Sequence, residues 1–85
     1  MQKPRNIVGP VVRELRAKMV LTQPQLVAKL NVAGWDVSRE TLAKIEAQIR
    51  WVADFEILKL AAGLGIDPLE LLRLAVARTP KRQRS

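Results

Sequence analysis

The sequence of 85 residues contains neither cysteine nor histidine. Without cysteine, neither a disulfide framework nor a thiolate metal site can form. The lack of histidine also removes the commonest general base and the commonest metal ligand. Asp36 and Glu40 come closest to a carboxylate pair, but acidic residues at the start of a helix usually complement its dipole. The sequence therefore predicts a protein that is not an enzyme and that carries no cofactor and no metal ion.

Long apolar runs are absent as well, because residues such as Lys59 and Arg73 interrupt every candidate membrane span. The opening stretch MQKPRNIVG carries charge but lacks the apolar segment of a secretory signal. No motif indicates a small-molecule ligand. We therefore expect a cytoplasmic protein that does not associate with membranes.

Acidic residues are few relative to basic ones. There are 15 Lys/Arg and 8 Asp/Glu, which give a net charge of +7 and a pI near 10.9. The C-terminal TPKRQRS holds three of the cations, which leaves +4 on residues 1–78. A basic surface suits a polyanion such as nucleic acid or an acidic membrane face. Charge alone is a weak indication, because many basic proteins bind no nucleic acid specifically.

Three helix starts are marked by N-capping residues, which are Thr22, Ser38 and Asp67. Gln25 and Glu70 follow the first and last of these by three residues, the spacing of a capping box. Pro24 and Pro68 fall in the first turns, where a missing N–H costs little. These signals predict helices separated by short, capped connections.

Hydrophobic periodicity predicts an all-α chain with five helices near 10–19, 23–31, 38–48, 54–63 and 68–77. No stretch alternates with the period of a β-strand for long enough to be one. The expected division is an arm over 1–9, a helical domain over 10–78 and a disordered basic tail over 79–85. The predicted inward residues of the first, third and fourth helices are Val12, Leu15, Met19, Leu42, Ile45, Ile49, Phe55, Leu58, Ala61 and Ala62.

Three stretches of the chain carry a resemblance to a known family. VRELRAKMVLTQPQLVAKL is followed by VSRETLAKIEAQIR and then by DFEILKLAAGLGIDPLELL. Together they resemble the lambda repressor/Cro-like helix-turn-helix family, often called Xre-type regulators, over about residues 10 to 73. The resemblance implies a compact five-helix DNA-binding domain whose second and third helices form the helix-turn-helix. It also implies a nucleoid-associated transcriptional regulator, often a repressor, whose partner is double-stranded DNA.

The resemblance also implies roles for individual residues. Positions that commonly read bases in the family are Arg39, Glu40, Thr41 and Lys44. Positions that commonly contact phosphates are Gln23, Ser38 and Arg50. Arg16 and Glu46 match a pair that typically forms a structural salt bridge between the first and third helices. Family members commonly bind as homodimers, so Leu69, Leu72 and Val76 either supply a dimer interface or close the core.

One departure from the family pattern concerns the turn of the helix-turn-helix. Six residues, Asn31 to Asp36, stand where the family usually has a single glycine. Trp35 either covers the core or reaches the DNA backbone. Val27 also occupies a position that the family usually gives to alanine. Two other functions stay open from the sequence: an antitoxin-like module that binds another protein, and nonspecific coating of nucleic acid through the basic surface.

Overall fold

The computed structural model describes residues 3–79, and within that range the chain forms five α-helices and no β-strand. The helices are α1 (Gly9–Lys18), α2 (Gln23–Val32), α3 (Arg39–Glu46), α4 (Asp54–Leu64) and α5 (Pro68–Arg78). The predicted all-α class is confirmed, and each predicted boundary lies within two residues of the observed one. Among the described residues no helix has both the length and the apolar character needed to span a membrane. The expectation of disorder over residues 80–85 lies outside the described residues.

Two predicted N-caps fix the starts of α2 and α3. The Gln25 N–H donates to Thr22 Oγ1 over 3.2 Å, and the Thr22 N–H donates to Gln25 Oε1 over 2.8 Å, so the capping box is confirmed. At α3 the Thr41 N–H donates to Ser38 Oγ over 3.1 Å. Each cap supplies an acceptor for an N–H group that the helix itself cannot satisfy.

The start of α5 differs in one detail from the prediction. Asp67 is the N-cap, since its Oδ1 accepts a hydrogen bond of 2.7 Å from the Leu69 N–H. The prediction that Glu70 closes a capping box is wrong. The Glu70 carboxylate instead accepts two hydrogen bonds from Arg73, one turn further along the exposed face. The Glu70 carboxylate therefore pairs with Arg73 in the next turn and does not accept a hydrogen bond from the N–H of the cap residue Asp67.

The core lies where α2 packs against α3 and α4, and α1 packs against α3, α4 and α5. Its largest fully buried side chains are Val8, Val11, Val12, Leu26, Leu30, Leu42, Ile45, Leu60 and Leu71. Burial of each such side chain stabilises the fold by about 1.5–3 kcal/mol. Val8 and Gly9, which the sequence analysis assigns to the arm, are buried and belong to this helical unit.

The predicted inward face of α4 is largely wrong. The buried residues of α4 are Glu56, Leu60, Ala61, Gly63 and Leu64, whereas Phe55, Leu58 and Ala62 are exposed. The stretch DFEILKLAAGL is apolar at most positions, so its periodicity does not determine one face. Close approach of Gly63 to the Leu30 side chain of α2 sets the rotation of α4, because a Cβ at Gly63 would meet that side chain.

Helices α1 and α3 each end at a non-glycine residue with positive φ. Val20 has φ of 57° and Gln48 has φ of 64°. The backbone turns out of the helical path at Val20 and at Gln48. The neighbouring residues Met19 and Ile49 were predicted to be buried, but both are exposed. Ile49 lies in the loop after α3, which ends at Glu46 instead of at the predicted residue 48.

The connection between α2 and α3 has six residues, 33–38, as many as the predicted turn, but it begins two residues later and is ordered by hydrogen bonds. Helix α2 runs through Val32, so the first two residues of the predicted six-residue turn are helical. The Asn31 Nδ2 donates to the carbonyls of Trp35 and Val37 over 2.8 and 3.4 Å, and Gly34 takes the left-handed conformation with φ of 97°. Trp35 is half-buried and packs against the core. Of the two roles predicted for it, this position agrees with covering the core.

Candidate nucleic-acid interface

Helix α3 has one apolar and one polar face. Leu42 and Ile45 are fully buried against α1 and α2. Glu40 and Lys44 are exposed on the opposite side, and Arg39 is exposed at its edge. The three-residue spacing of the apolar pair places both side chains on one face of the helix and leaves the charged residues outward. The structure therefore leaves three of the four predicted base-reading residues exposed on α3, and we call their exposed side the outward surface of α3.

The fourth predicted base reader, Thr41, is half-buried at the first turn of α3, beside the predicted phosphate contact Ser38. Their hydroxyl groups lie 3.1 Å apart, and the Ser38 hydroxyl donates to Thr41 Oγ1 while it caps the helix. The Thr41 hydroxyl keeps its own hydrogen for donation, since Oγ1 is the acceptor of this bond. The capping arrangement thus orients both side chains at the entry to α3.

An ion pair between Arg16 and Glu46 joins α1 to α3, as the resemblance implies. Arg16 Nε and Nη2 donate to the two carboxylate oxygens over 2.8 and 3.0 Å, and Arg16 Nη1 donates to the Leu21 carbonyl over 2.8 Å. The Glu46 side chain is 4% exposed, so the bidentate pair lies mostly away from solvent. Hydrogen bonding to Glu46 raises the pKa of Arg16 above its usual value despite partial burial. The pair fixes the position of α3 relative to α1.

Gln23, the predicted phosphate contact at the start of α2, joins the same network. Its Nε2 donates to Glu46 Oε1 over 3.0 Å, so one carboxylate links α1, α2 and α3. Gln23 is half-buried, and the second hydrogen of its amide remains available to an acceptor. The first turn of α2 is thereby held beside the outward surface of α3.

Arg50, the predicted phosphate contact after α3, is engaged within the protein. Its Nη1 and Nη2 donate to the Glu56 carboxylate over 2.9 and 3.3 Å, and Nη1 also donates to the Trp51 carbonyl over 3.1 Å. Arg50, helped by the Ala53 N–H, holds the pKa of Glu56 below its usual value, and burial of Glu56 opposes this shift. Ala53 is the N-cap of α4 but has no side-chain acceptor, so the Glu56 carboxylate receives its N–H. The main observed role of Arg50 is to order this loop.

The sequence analysis missed Asn6, which fastens the segment before α1 to the end of α3. Asn6 Nδ2 donates to the carbonyls of Ile45 and Arg50 over 3.1 and 2.9 Å, and its Oδ1 accepts from the Gly9 N–H over 2.7 Å. A Cβ at Gly9 would collide with the Ile45 carbonyl, so only glycine permits this approach of α1 to α3. The only signal in the sequence is an asparagine three residues before a helix start, the spacing of a side-chain cap.

Gln48 completes this attachment from the other side. Its Nε2 donates to the Asn6 carbonyl over 2.8 Å, and its own carbonyl accepts from the Arg5 N–H over 2.9 Å. Arg5 and Asn6 therefore fasten the N-terminal segment, residues 3–8, to the end of α3 and to the loop that follows it. The exposed cations Lys3 and Arg5 lie in this fastened segment.

The three residues predicted either to form a dimer interface or to close the core separate into two groups. Leu69 and Val76 on α5 are 74% and 62% exposed. Leu72 is half-buried and packs against the core, which is the core-closing alternative. An exposed apolar pair spaced by two helical turns is a surface that a partner can cover.

Comparison with known proteins adds no relative. No protein-family model matches the sequence, and no curated protein matches it. Within residues 3–79 no group of acidic side chains is arranged to hold a metal ion.

Proposed function

We propose that the protein binds double-stranded DNA in a sequence-specific manner and acts as a transcriptional regulator of the repressor type. The observation that carries this proposal is the outward surface of α3, on which Arg39, Glu40 and Lys44 are exposed. Helices α2 and α3 serve as the helix-turn-helix, and the junction of Glu46 with Arg16 and Gln23 holds them rigidly. A helix of this kind fits the major groove with its first turns against the base edges.

The chemistry of each outward side chain indicates what it would bind. Arg39 donates in the bidentate geometry that suits guanine O6 and N7, and Glu40 accepts from cytosine N4. Lys44 and Thr41 donate to acceptors one turn apart along the same groove. These contacts distinguish base pairs, whereas contacts to phosphates fix only the register.

Polar side chains at both ends of the helix-turn-helix are placed where the proposal requires phosphate contacts. Gln23 offers one remaining amide hydrogen, and Ser38 stands exposed at the start of α3. Arg50 reaches a phosphate only through N–H groups that Glu56 does not occupy, because two of its nitrogens already donate to that carboxylate. Ser38 is the weakest of the three proposed contacts, because its single hydroxyl hydrogen is already donated to Thr41.

The proposed binding form is a homodimer on a two-fold symmetric site. Leu69 and Val76 present an apolar surface on α5 that a second copy would cover. Two copies related by a two-fold axis would read half-sites about 34 Å apart, one turn of the duplex.

Selection from a random duplex library at near-physiological salt tests the proposal. A recovered motif with two-fold symmetry, lost in the Arg39→Ala/Lys44→Ala variant, is the expected result. DNA retained without any motif would replace specific reading with nonspecific coating. No retained DNA would overturn the proposal.

A protein-interaction module is the second candidate. Phe55 and Leu58 on α4 are more than half exposed, and such large apolar side chains suit a protein partner. In that case Arg39→Ala/Lys44→Ala would leave partner binding intact. Substitution of Phe55 and Leu58 by serine would abolish it.

A further inference from the structure

Three shallow clefts meet at Ala47, the exposed residue directly after α3. The first, of about 200 Å³, lies between α1 and the helix-turn-helix and is lined by Arg13, Gln23 and Ala43 among others. The second continues past Arg13 toward the end of α5. The third lies on the opposite side, between the fastened N-terminal segment and the loop after α3, and includes Lys3. Arg13 and Lys3 therefore flank Ala47.

The charges around Ala47 leave a local positive excess. The acids that line the clefts are Glu46 and Glu14, and each is already neutralised, by Arg16 and by Arg78 respectively, over 2.8 Å. None of the ion pairs within residues 3–79 includes Arg13 or Lys3. Both side chains are exposed. Two uncompensated cations beside paired acids attract an anion.

The position of the first cleft connects this positive excess to α3. Ala43 belongs to the outer side of α3, and Gln23 begins α2, so the cleft opens onto the surface proposed to face DNA. A ligand that lies along α3 and extends past its end must cross Ala47. The small side chain of Ala47 leaves room for this passage, and the hydrogen bonds of Asn6 and Gln48 hold the Lys3 side of the path in place.

We propose that Arg13 and Lys3 bind consecutive phosphates of one DNA strand as it crosses Ala47. This inference rests on the proposed function. It extends the contact surface to α1 and to the N-terminal segment. Because phosphates carry no sequence information, these two residues raise the affinity for every duplex equally, whereas Arg39 and Lys44 determine which duplex is preferred.

The test measures the affinity for a selected and for a scrambled duplex between 50 and 200 mM salt, using the full chain. Arg13→Ala and Lys3→Ala are each expected to flatten the slope of log K against log salt by about 0.9. As the salt concentration rises fourfold, from 50 to 200 mM, the ratio of wild-type to variant affinity should fall by about 3.5-fold. The ratio of affinities for the two duplexes stays unchanged. Lys29→Ala is the charge-matched control, because Lys29 is exposed on α2 and lines a separate groove with Ala33 and Ala62.

A second pair of variants tests the path itself. Ala47→Glu places a negative charge where the three clefts meet and is expected to weaken binding to both duplexes by more than tenfold. Ala47→Gln adds the same bulk without the charge and is expected to lose less. Melting temperatures establish that each variant folds.

The outcomes separate this inference from the proposed function. If the wild type binds duplex DNA but Arg13→Ala and Lys3→Ala behave like Lys29→Ala, the phosphate path is overturned and the proposed function stands. If these variants change the preference between duplexes instead of the salt slope, the path is also wrong. If the wild type binds no duplex, both proposals fail.

Discussion

Helices α1 and α3 end in the same backbone conformation but in different surroundings. Val20, after α1, has φ of 57° and is 86% exposed, with no packing to support it. Gln48, after α3, has φ of 64°, but its side chain bonds to the Asn6 carbonyl. A left-handed residue other than glycine costs about 1–2 kcal/mol. Side-chain contacts offset that cost at the end of α3, where Gln48 is hydrogen-bonded to Asn6. At the end of α1 no such contact of Val20 offsets it.

The largest effect is expected where α1 approaches the end of α3. Gly9→Ala would force a Cβ into the Ile45 carbonyl and should destabilise the fold by about 3 kcal/mol, the upper end of typical overpacking costs. Gly63→Ala is the comparison variant, since both glycines are helical but the Gly63 Cβ would meet the Leu30 side chain and not a backbone carbonyl, so its loss should be smaller. Chemical denaturation measures both variants. Equal losses would show that the Gly9 contact has no special role at the end of α3.

The second largest loss of stability is expected when Asn6, which binds the end of α3, is replaced. Asn6→Ala leaves the Arg50 carbonyl without its donor and the Gly9 N–H without its acceptor, while the Ile45 carbonyl keeps only the Gln48 N–H, so the substitution should cost about 2 kcal/mol. Asn31→Ala also removes an amide that donates to two carbonyls, but Asn31 is exposed, so its loss should be smaller. Denaturant midpoints of the two variants decide the order. A larger loss for Asn31→Ala would contradict the view that the α3 end is the more firmly held.

The far end of the loop after α3 should respond to acid. Arg50 lowers the pKa of Glu56 in the folded state. The stability from this pair is therefore fully present above the unfolded-state pKa of about 4.3 and is lost as pH falls through the lower folded-state pKa. Glu56→Gln should cost about 1–2 kcal/mol at pH 7. The difference between wild type and variant should shrink in denaturation experiments below pH 4.3, and a constant difference would exclude this linkage.

The smallest effects compare the two left-handed residues directly. Val20→Gly removes the backbone cost without losing a contact, so a net gain of about 0.5–1 kcal/mol is expected after the greater entropy loss of glycine. Gln48→Gly obtains the same relief but loses the hydrogen bond to Asn6, so its stability should hardly change. Thermal unfolding of the two variants measures the contrast. If Gln48→Gly gains as much as Val20→Gly, the hydrogen bond contributes nothing.

Local signals in the sequence were enough for the helix boundaries. Thr22, Ser38 and Asp67 cap the helices that they were predicted to cap, because the acceptor and the N–H groups are neighbours along the chain. The face of α4 was predicted wrongly, since its position depends on the contact of Gly63 with Leu30 from another helix. Glu70 was misassigned because Arg73 competes for the same carboxylate.

The candidate site was predictable only in part. Arg39, Glu40 and Lys44 were expected outward from their spacing around Leu42 and Ile45, and the structure places them there. Asn6 is separated along the chain by 39 positions from Ile45 and by 44 positions from Arg50, the two residues whose carbonyls it binds. A single sequence carries no local pattern for such a contact. The ion pair of Arg50 with Glu56 joins residues only six positions apart, but it crosses the loop before α4, so helical spacing gives no signal for it.

The central claim is that the outward surface of α3 reads the sequence of DNA. The most direct test is the ratio of affinities for the selected and the scrambled duplex at near-physiological salt, measured for the wild type and for Arg39→Ala/Lys44→Ala. If this surface reads the sequence, the wild-type ratio should be about 10³ or more and should fall by about tenfold or more in the variant. A variant that stays folded and keeps the wild-type ratio would contradict the claim.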